Sequence, residues 1–213
     1  MRLPASPIKA FLNLSSFSSD PASGEVQENR PVECVTWYDA VEFCNKLSEK
    51  ERLQKVYTIS GRSPATGYPI TSATVTADWS KNGYRLPTEA QWEYTAKGGN
   101  GSPGNYTYLG SNTIGDVAWY TNNSGSKTHE VGKKAPNGLG LYDMSGNVWE
   151  WCWDWYGSYS DGSQTDPSGA SSGTVRVSRG GSWNNSKEIV RSAIRYYNYP
   201  RYQYYYGFRL VRP

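Results

Sequence analysis

The apolar pattern of the chain falls into three regimes. The first thirty residues are rich in Ser and Pro and carry no sustained period, which predicts an irregular arm over 1–30. From Thr36 onward Trp37, Val41, Cys44 and Leu47 or Ser48 recur at helical spacing. Thr36 is a good N-cap and Asp39 is the acid three residues on, as in a capping box, so a helix is predicted from about Trp37 to about Lys50. A second helix is signalled at Pro87-Thr88-Glu89-Ala90-Gln91-Trp92-Glu93-Tyr94, with Thr88 as cap, Glu89 and Glu93 near the positive helix end, and Gly98-Gly99 as the stop. Beyond it the helical period lapses. Short runs at Asp116-Val117-Ala118-Trp119-Tyr120, Asn147-Val148-Trp149-Glu150-Trp151 and Thr174-Val175-Arg176-Val177 are separated by Gly, Asn and Ser, which predicts short strands joined by long ordered loops. Trp92, Trp119, Trp149, Trp151, Trp153 and Trp155 alternate with polar residues as core positions do. No repeat of solenoid or propeller period is visible.

Composition narrows the class. A chain of 213 residues can bury one substantial core or two small ones. With nine Trp, eighteen Tyr, twenty-two Gly and 19 % charged residues, the core must lean on aromatics. The net charge of +3 has no Lys/Arg run behind it, so nucleic acid is not an expected partner. No apolar run reaches the roughly 18 to 20 residues of a membrane span, and the opening residues lack the apolar core of a signal peptide. Cys34, Cys44 and Cys152 are odd in number, so a disulfide framework is not what holds the fold, and all three are expected as buried thiols. The single His129 cannot supply the two or three imidazoles of a mononuclear iron or zinc centre, and no CxxC spacing exists. A nucleophile elbow, a phosphate-cradling Gly loop and a zincin motif are also missing.

Four segments carry more specific information: Pro31-Val32-Glu33-Cys34-Val35-Thr36-Trp37-Tyr38-Asp39-Ala40, Gly83-Tyr84-Arg85-Leu86-Pro87-Thr88-Glu89-Ala90-Gln91-Trp92-Glu93, Gly138-Leu139-Gly140-Leu141-Tyr142-Asp143-Met144-Ser145-Gly146-Asn147-Val148-Trp149-Glu150-Trp151 and Arg179-Gly180-Gly181-Ser182-Trp183. With the closing Gly207-Phe208-Arg209-Leu210, they resemble the formylglycine-generating enzyme (sulfatase-modifying factor) family in order and spacing, over roughly residues 31–213. The resemblance implies one α+β domain over 1–213, of the C-type lectin-like fold of the formylglycine-generating-enzyme type, with two helices, small twisted sheets and much ordered loop. The family's enzymes oxidise a substrate cysteine with two active-site cysteines that follow the Gly-Gly-Ser segment and hold copper. The matching stretch here, Gly181-Ser182-Trp183-Asn184-Asn185-Ser186-Lys187-Glu188-Ile189-Val190-Arg191, contains no cysteine, so thiolate chemistry is excluded there and no catalytic cofactor is expected.

The C-terminal segment, 176–213, has a different character. Seven of the eighteen tyrosines fall within residues 196–206, accompanied by Arg and Asn. Tyr presents a large amphipathic surface at low entropic cost, which is why paratopes and interface hot spots favour it. On the lectin-like scaffold the stretch before Gly207-Phe208-Arg209 resembles the hypervariable region of the variable proteins of diversity-generating retroelements, the treponeme type among them. Asn codons randomised at their adenines can yield Tyr, Ile, Val, Ser, Arg or Asn. Those types stand at Ser186, Ile189, Val190, Ile194, Tyr196, Tyr197, Asn198, Tyr199, Arg201, Tyr202, Tyr204, Tyr205 and Tyr206, which the resemblance makes the ligand-contact set. Lys187, Glu188 and Gln203 do not follow from such codons. Trp183 and Phe208 are assigned to scaffold.

In the family, the loop matching Asp143 to Glu150 binds calcium. Here Asp143, the carbonyls of Gly146 and Val148, and Glu150 would be the ligands of a structural Ca2+, an arrangement that suits a hard cation. The alternative is that both acids bond loop amides without metal. The expectation from the whole chain is a non-catalytic, monomeric, receptor-like binder of a protein, peptide or glycan, displayed at a bacterial cell surface or extracellularly, as the resemblance implies. An enzyme-like domain of the same fold with unknown chemistry is the alternative.

Overall fold

In the computed structural model, residues 20–101 and 105–213 are described, so residues 1–19 of the expected arm lie outside them. Residues 20–36 run irregularly apart from one 3-10 turn, Gln27–Asn29. Helix α1 (Trp37–Lys50) then begins on the expected capping box. Thr36 Oγ1 accepts from the Asp39 N–H at 3.0 Å, and Asp39 Oδ2 accepts from the Thr36 N–H at 2.9 Å. The second Asp39 oxygen accepts from the Ile70 N–H at 2.8 Å, so the cap also fixes a distant loop. The predicted face of α1, with Trp37, Val41, Cys44 and Leu47, is buried.

Strands β1 (Tyr57–Ser63) and β2 (Ser72–Ala77) form an antiparallel hairpin that the sequence reading left unassigned. Its alternating burial rests on Ile59 and Val75, which pack against the main core from its edge. Helix α2 (Glu89–Ala96) repeats the capping logic, here between Thr88 and Gln91, and residues Gly98 and Gly99 after its Lys97 C-cap have φ of 91° and 69°. A third helix of one turn, α3 (Ile114–Val117), adds to the two expected. It absorbs Asp116 and Val117, and only Ala118–Trp119 of the predicted run becomes strand, β3.

Strand β4 (Ser145–Gly146) pairs in parallel with β3. Gly146 is required there, since its φ is 75° and a Cβ would sit 2.2 Å from the Trp119 carbonyl oxygen. Strands β5 (Trp149–Trp155), β6 (Arg176–Arg179), β7 (Arg195–Asn198) and β8 (Tyr206–Phe208) form one sheet in the order β7-β6-β5-β8, with β5 and β8 parallel. The period of two along β5 divides its residues between two cores. Trp149 and Trp151 join the cluster built on α1, while Cys152 joins the cluster of Trp92, Ala96, Met144 and Val177 on the α2 side. The Trp37 indole N–H donates to the Cys152 carbonyl at 2.9 Å, locking α1 across the sheet. Among the described residues no helix is long and apolar enough to cross a membrane. The architecture is α+β.

Candidate functional site

Among the described residues β7 is an edge strand, bonded only to β6, with Tyr196 opposite Ser178 and Tyr197 opposite Val177. Although they point to opposite faces of the strand, the consecutive Tyr196 and Tyr197 are both exposed. Tyr196 stacks on Trp149 at 5.2 Å on one side, and Tyr197 meets Tyr156 at 4.4 Å on the other. Their own ring centroids lie 5.6 Å apart. Both residues therefore rest on aromatic scaffold and still reach solvent, at 47 % and 45 % exposed.

After β7 the chain turns twice. The Tyr202 N–H donates to the Tyr199 carbonyl at 2.9 Å, and the Tyr206 N–H to the Gln203 carbonyl at 3.2 Å. Buried Pro200 anchors the first turn, because its carbonyl accepts from the Trp37 N–H at the start of α1 at 2.9 Å. The turns leave Tyr199 and Tyr204 exposed, with the Arg201 guanidinium over the Tyr199 ring at 5.2 Å. Tyr199, Arg201, Tyr202, Gln203 and Tyr204 surround an open groove of about 310 Å³. Asn198 and Tyr202 are half-buried, and Ser186 is exposed.

Part of the expected contact set lies elsewhere. Tyr206 is 2 % exposed and Val190 is fully buried, so neither is displayed. Tyr206 is paired with Trp149 in the β5–β8 register and packs on Trp151 at 4.3 Å, while Val190 closes a small core with Tyr108 and Val117. Tyr205, in the left-handed region at φ 69°, turns the chain inward between exposed Tyr204 and buried Tyr206, and its own ring is half-buried edge-on to Trp183 at 5.2 Å. Ile189 and Ile194 pack partly against the main core. Trp183 and Phe208 are buried scaffold, as assigned. The strip held at the surface is thus Tyr196, Tyr197, Tyr199, Arg201 and Tyr204, with Tyr202 and Asn198 at its margin.

The residues proposed for calcium do not form a hard-oxygen cage at Glu150. Its two oxygens receive the Arg209 guanidinium, Nε to Oε2 at 2.5 Å and Nη2 to Oε1 at 2.8 Å, and the Trp92 indole N–H donates to Oε2 at 2.7 Å. A divalent cation on this carboxylate would face the guanidinium charge at contact distance. Asp143 accepts from the Gly132 N–H at 3.0 Å, which makes it a loop brace. Gly146 and Val148 lie in the buried β4 region between them. Glu150 therefore does not fit as a calcium ligand.

Sequence reasoning missed the charge network under β7. Arg195 grips Glu89 with two bonds, Nε to Oε1 at 2.9 Å and Nη2 to Oε2 at 2.7 Å. Buried Arg179 binds Glu93 at 2.7 Å and donates to the Ile194 carbonyl. The acids first read as favourable helix N-terminal charges on α2 thus hold β6 and β7 in place. The three thiols are unpaired and buried, and burial pushes Cys34 up to about 11 and raises Cys44 and Cys152 further.

Comparisons with known proteins agree with this architecture. The family model described as the sulfatase-modifying factor enzyme 1-like domain matches residues 12–213. The chain is 43 % identical over 188 residues to chaperone protein LppX of Paenibacillus barcinonensis, covering 78 % of this chain and 64 % of that one. It is 37 % identical over 142 residues to the formylglycine-generating enzyme of Streptomyces coelicolor, covering 59 % and 44 %. The chain therefore spans less than two thirds of the length of these curated relatives. Among solved structures, Treponema denticola variable protein 1 superposes with a TM-score of 0.89 at 42 % identity, over 100 % of this chain and 82 % of that one. CarF superposes with a TM-score of 0.73 at 30 % identity, over 98 % and 81 %. By its motifs, its fold and these matches, the chain belongs to the sulfatase-modifying factor (formylglycine-generating enzyme) family, in a form that closely resembles a variable protein.

Proposed function

We propose that the chain is a non-catalytic ligand-binding protein whose contact surface is the strip Tyr196, Tyr197, Tyr199, Arg201, Tyr202 and Tyr204, diversified by a retroelement. The observation that carries this reading is the contrast in burial within one tyrosine-rich segment. Tyr199 and Tyr204 are 52 % and 58 % exposed, on turns whose backbone is pinned to α1 and β8. Exposed aromatic rings on a rigid frame are what an interface with a protein, peptide or glycan requires. Two further facts support a binder over an enzyme. The Gly181–Arg191 segment carries no thiol, and Glu89 and Glu93, the acids of α2 bonded to β6 and β7, are held by Arg195 and Arg179 and are not poised as bases. The proposed location is the bacterial cell surface or the extracellular space, and protease shaving of intact cells tests it.

The test of function is to randomise those six positions in a display library and select against a panel of proteins and immobilised glycans. Folded variants with distinct specificities are expected. A library in which most members fail to fold overturns the surface, and a gene without a neighbouring reverse transcriptase and template repeat overturns the retroelement origin.

A further inference from the structure

A second recess lies beside the tyrosine strip. The segment 157–170 and α2 line an open cleft of about 840 Å³, within the size range of ligand sites. Tyr94 and Tyr159 stand at it, 51 % and 64 % exposed. Ser158, Ser160, Gln164 and Ser168 add hydroxyl and amide groups.

The charges in the cleft are largely committed to one another. Glu89 is bound on both oxygens by Arg195, Glu93 is bound by Arg179 and Lys97, and Asp154 accepts the Glu89 backbone N–H at 2.8 Å. An anion entering would meet Glu89, Glu93, Asp154 and Asp166, and a cation would compete with Lys97 and Arg195 for acids already held. Tyr159 is braced for contact: its hydroxyl donates to Glu89 Oε1 at 3.1 Å and the Arg195 guanidinium sits over its ring at 4.2 Å. The groups that remain for a ligand are aromatic faces and neutral hydrogen-bonding groups.

We infer that this cleft is a separate binding site for a neutral oligosaccharide. The C–H face of a sugar ring lies against Tyr159 and Tyr94, and its hydroxyls exchange hydrogen bonds with the serine and glutamine side chains of the walls. The site adjoins the tyrosine strip through Arg195, which lies 4.4 Å from the Tyr156 ring, itself 4.4 Å from Tyr197. None of its sugar-contacting residues belongs to the strip, so each site can fail without the other.

Saturation-transfer NMR titrations of the whole chain with cellotetraose, maltotetraose and chitotetraose test the site. At least one sugar is expected to saturate. Tyr159→Ala and, separately, Tyr94→Ala should each weaken it roughly tenfold. Tyr159→Phe, which keeps the ring, should hold affinity within about twofold, and Tyr199→Ser with Tyr204→Ser should leave it unchanged. Circular dichroism confirms that each variant is folded. No saturation by any of the three up to about 10 mM overturns the inference. So does binding that survives both alanine variants, or binding lost with Tyr199 and Tyr204, which would place the sugar on the strip.

Discussion

Tyr204 and Tyr206 lie two residues apart and carry the same side chain, yet one is 58 % exposed and the other 2 %. The difference is backbone. Tyr204 stands at the exposed corner of the Gln203–Tyr206 turn, whereas Tyr206 is already in β8, in register with Trp149 and against Trp151. The left-handed Tyr205 between them is the point where display ends and framework begins. A displayed strip can vary only because it stands on a frame that cannot. That frame is unusual in being as ionic as it is aromatic, with Glu150, Arg179 and Arg209 all buried in it.

The largest effect is expected where the frame is ionic. Arg209→Ala removes the guanidinium that neutralises Glu150, a carboxylate that is 1 % exposed, and leaves it the Trp92 indole N–H. A broken buried pair costs about 3–5 kcal/mol, which for this length lowers the melting temperature by roughly 6–20 °C. A drop of a degree or two in a calorimetric scan would mean that water reaches Glu150 and that the frame is not as closed as described. Next comes Tyr206→Ala, expected to cost about 3 kcal/mol, at the low end for a buried aromatic because Tyr202, 5.5 Å away, can lean into the gap. Chemical denaturation of this variant beside Tyr204→Ala sharpens the comparison, since the second should change stability by no more than about 0.5 kcal/mol.

What was legible in the sequence is what is local. Both capping boxes span four residues, and α1 and α2 formed where Thr36 and Thr88 predicted them. The family motifs carry the fold, because their residues start α1 and α2 and supply β4, the start of β5 and the end of β8. The hairpin of β1 and β2 went unassigned, since its strands are polar on the exposed face and interrupted by Gly61. Glu89 bonds Arg195 across 106 residues, and Glu150 bonds Arg209 across 59. No spacing rule reports such pairs, so the partners of Glu89 and Glu150 are not legible in the sequence. Val190 and Tyr206 are buried for a related reason: residue type describes what a position can do at a surface, while Tyr206 is turned inward by its register in β8 and Val190 by its packing on Tyr108 and Val117.

A smaller effect tests the joint between frame and strip. Asp154 is buried beside Glu89, and burial pushes its carboxyl up to about 6. Its folded state therefore holds a proton that the unfolded chain releases near pH 4. The stability linked to that proton is fully present below about pH 4 and is lost as pH rises to about 6 and beyond. Asp154→Asn keeps an oxygen to accept the Glu89 N–H and cannot ionise. It should be more stable than the parent by about 1–2 kcal/mol at pH 8, and the advantage should vanish near pH 4. A constant difference across that range in urea titrations would show that Asp154 is not the titrating group.

The smallest effect bears most directly on display. Tyr199→Ser and Tyr204→Ser together remove two half-exposed rings from turns held by backbone bonds, so the fold loses little packing and no buried polar partner. Each should cost no more than about 0.5 kcal/mol. Their sum should be additive, because Pro200 and the Gln203–Tyr206 bond fix the two turns separately. A double variant that loses several kcal/mol, or far more than the two single changes combined, would mean that the tyrosines support one another as a surface core. The strip would then be structure, and its tyrosines could not be exchanged one by one for other side chains, as a diversified surface requires.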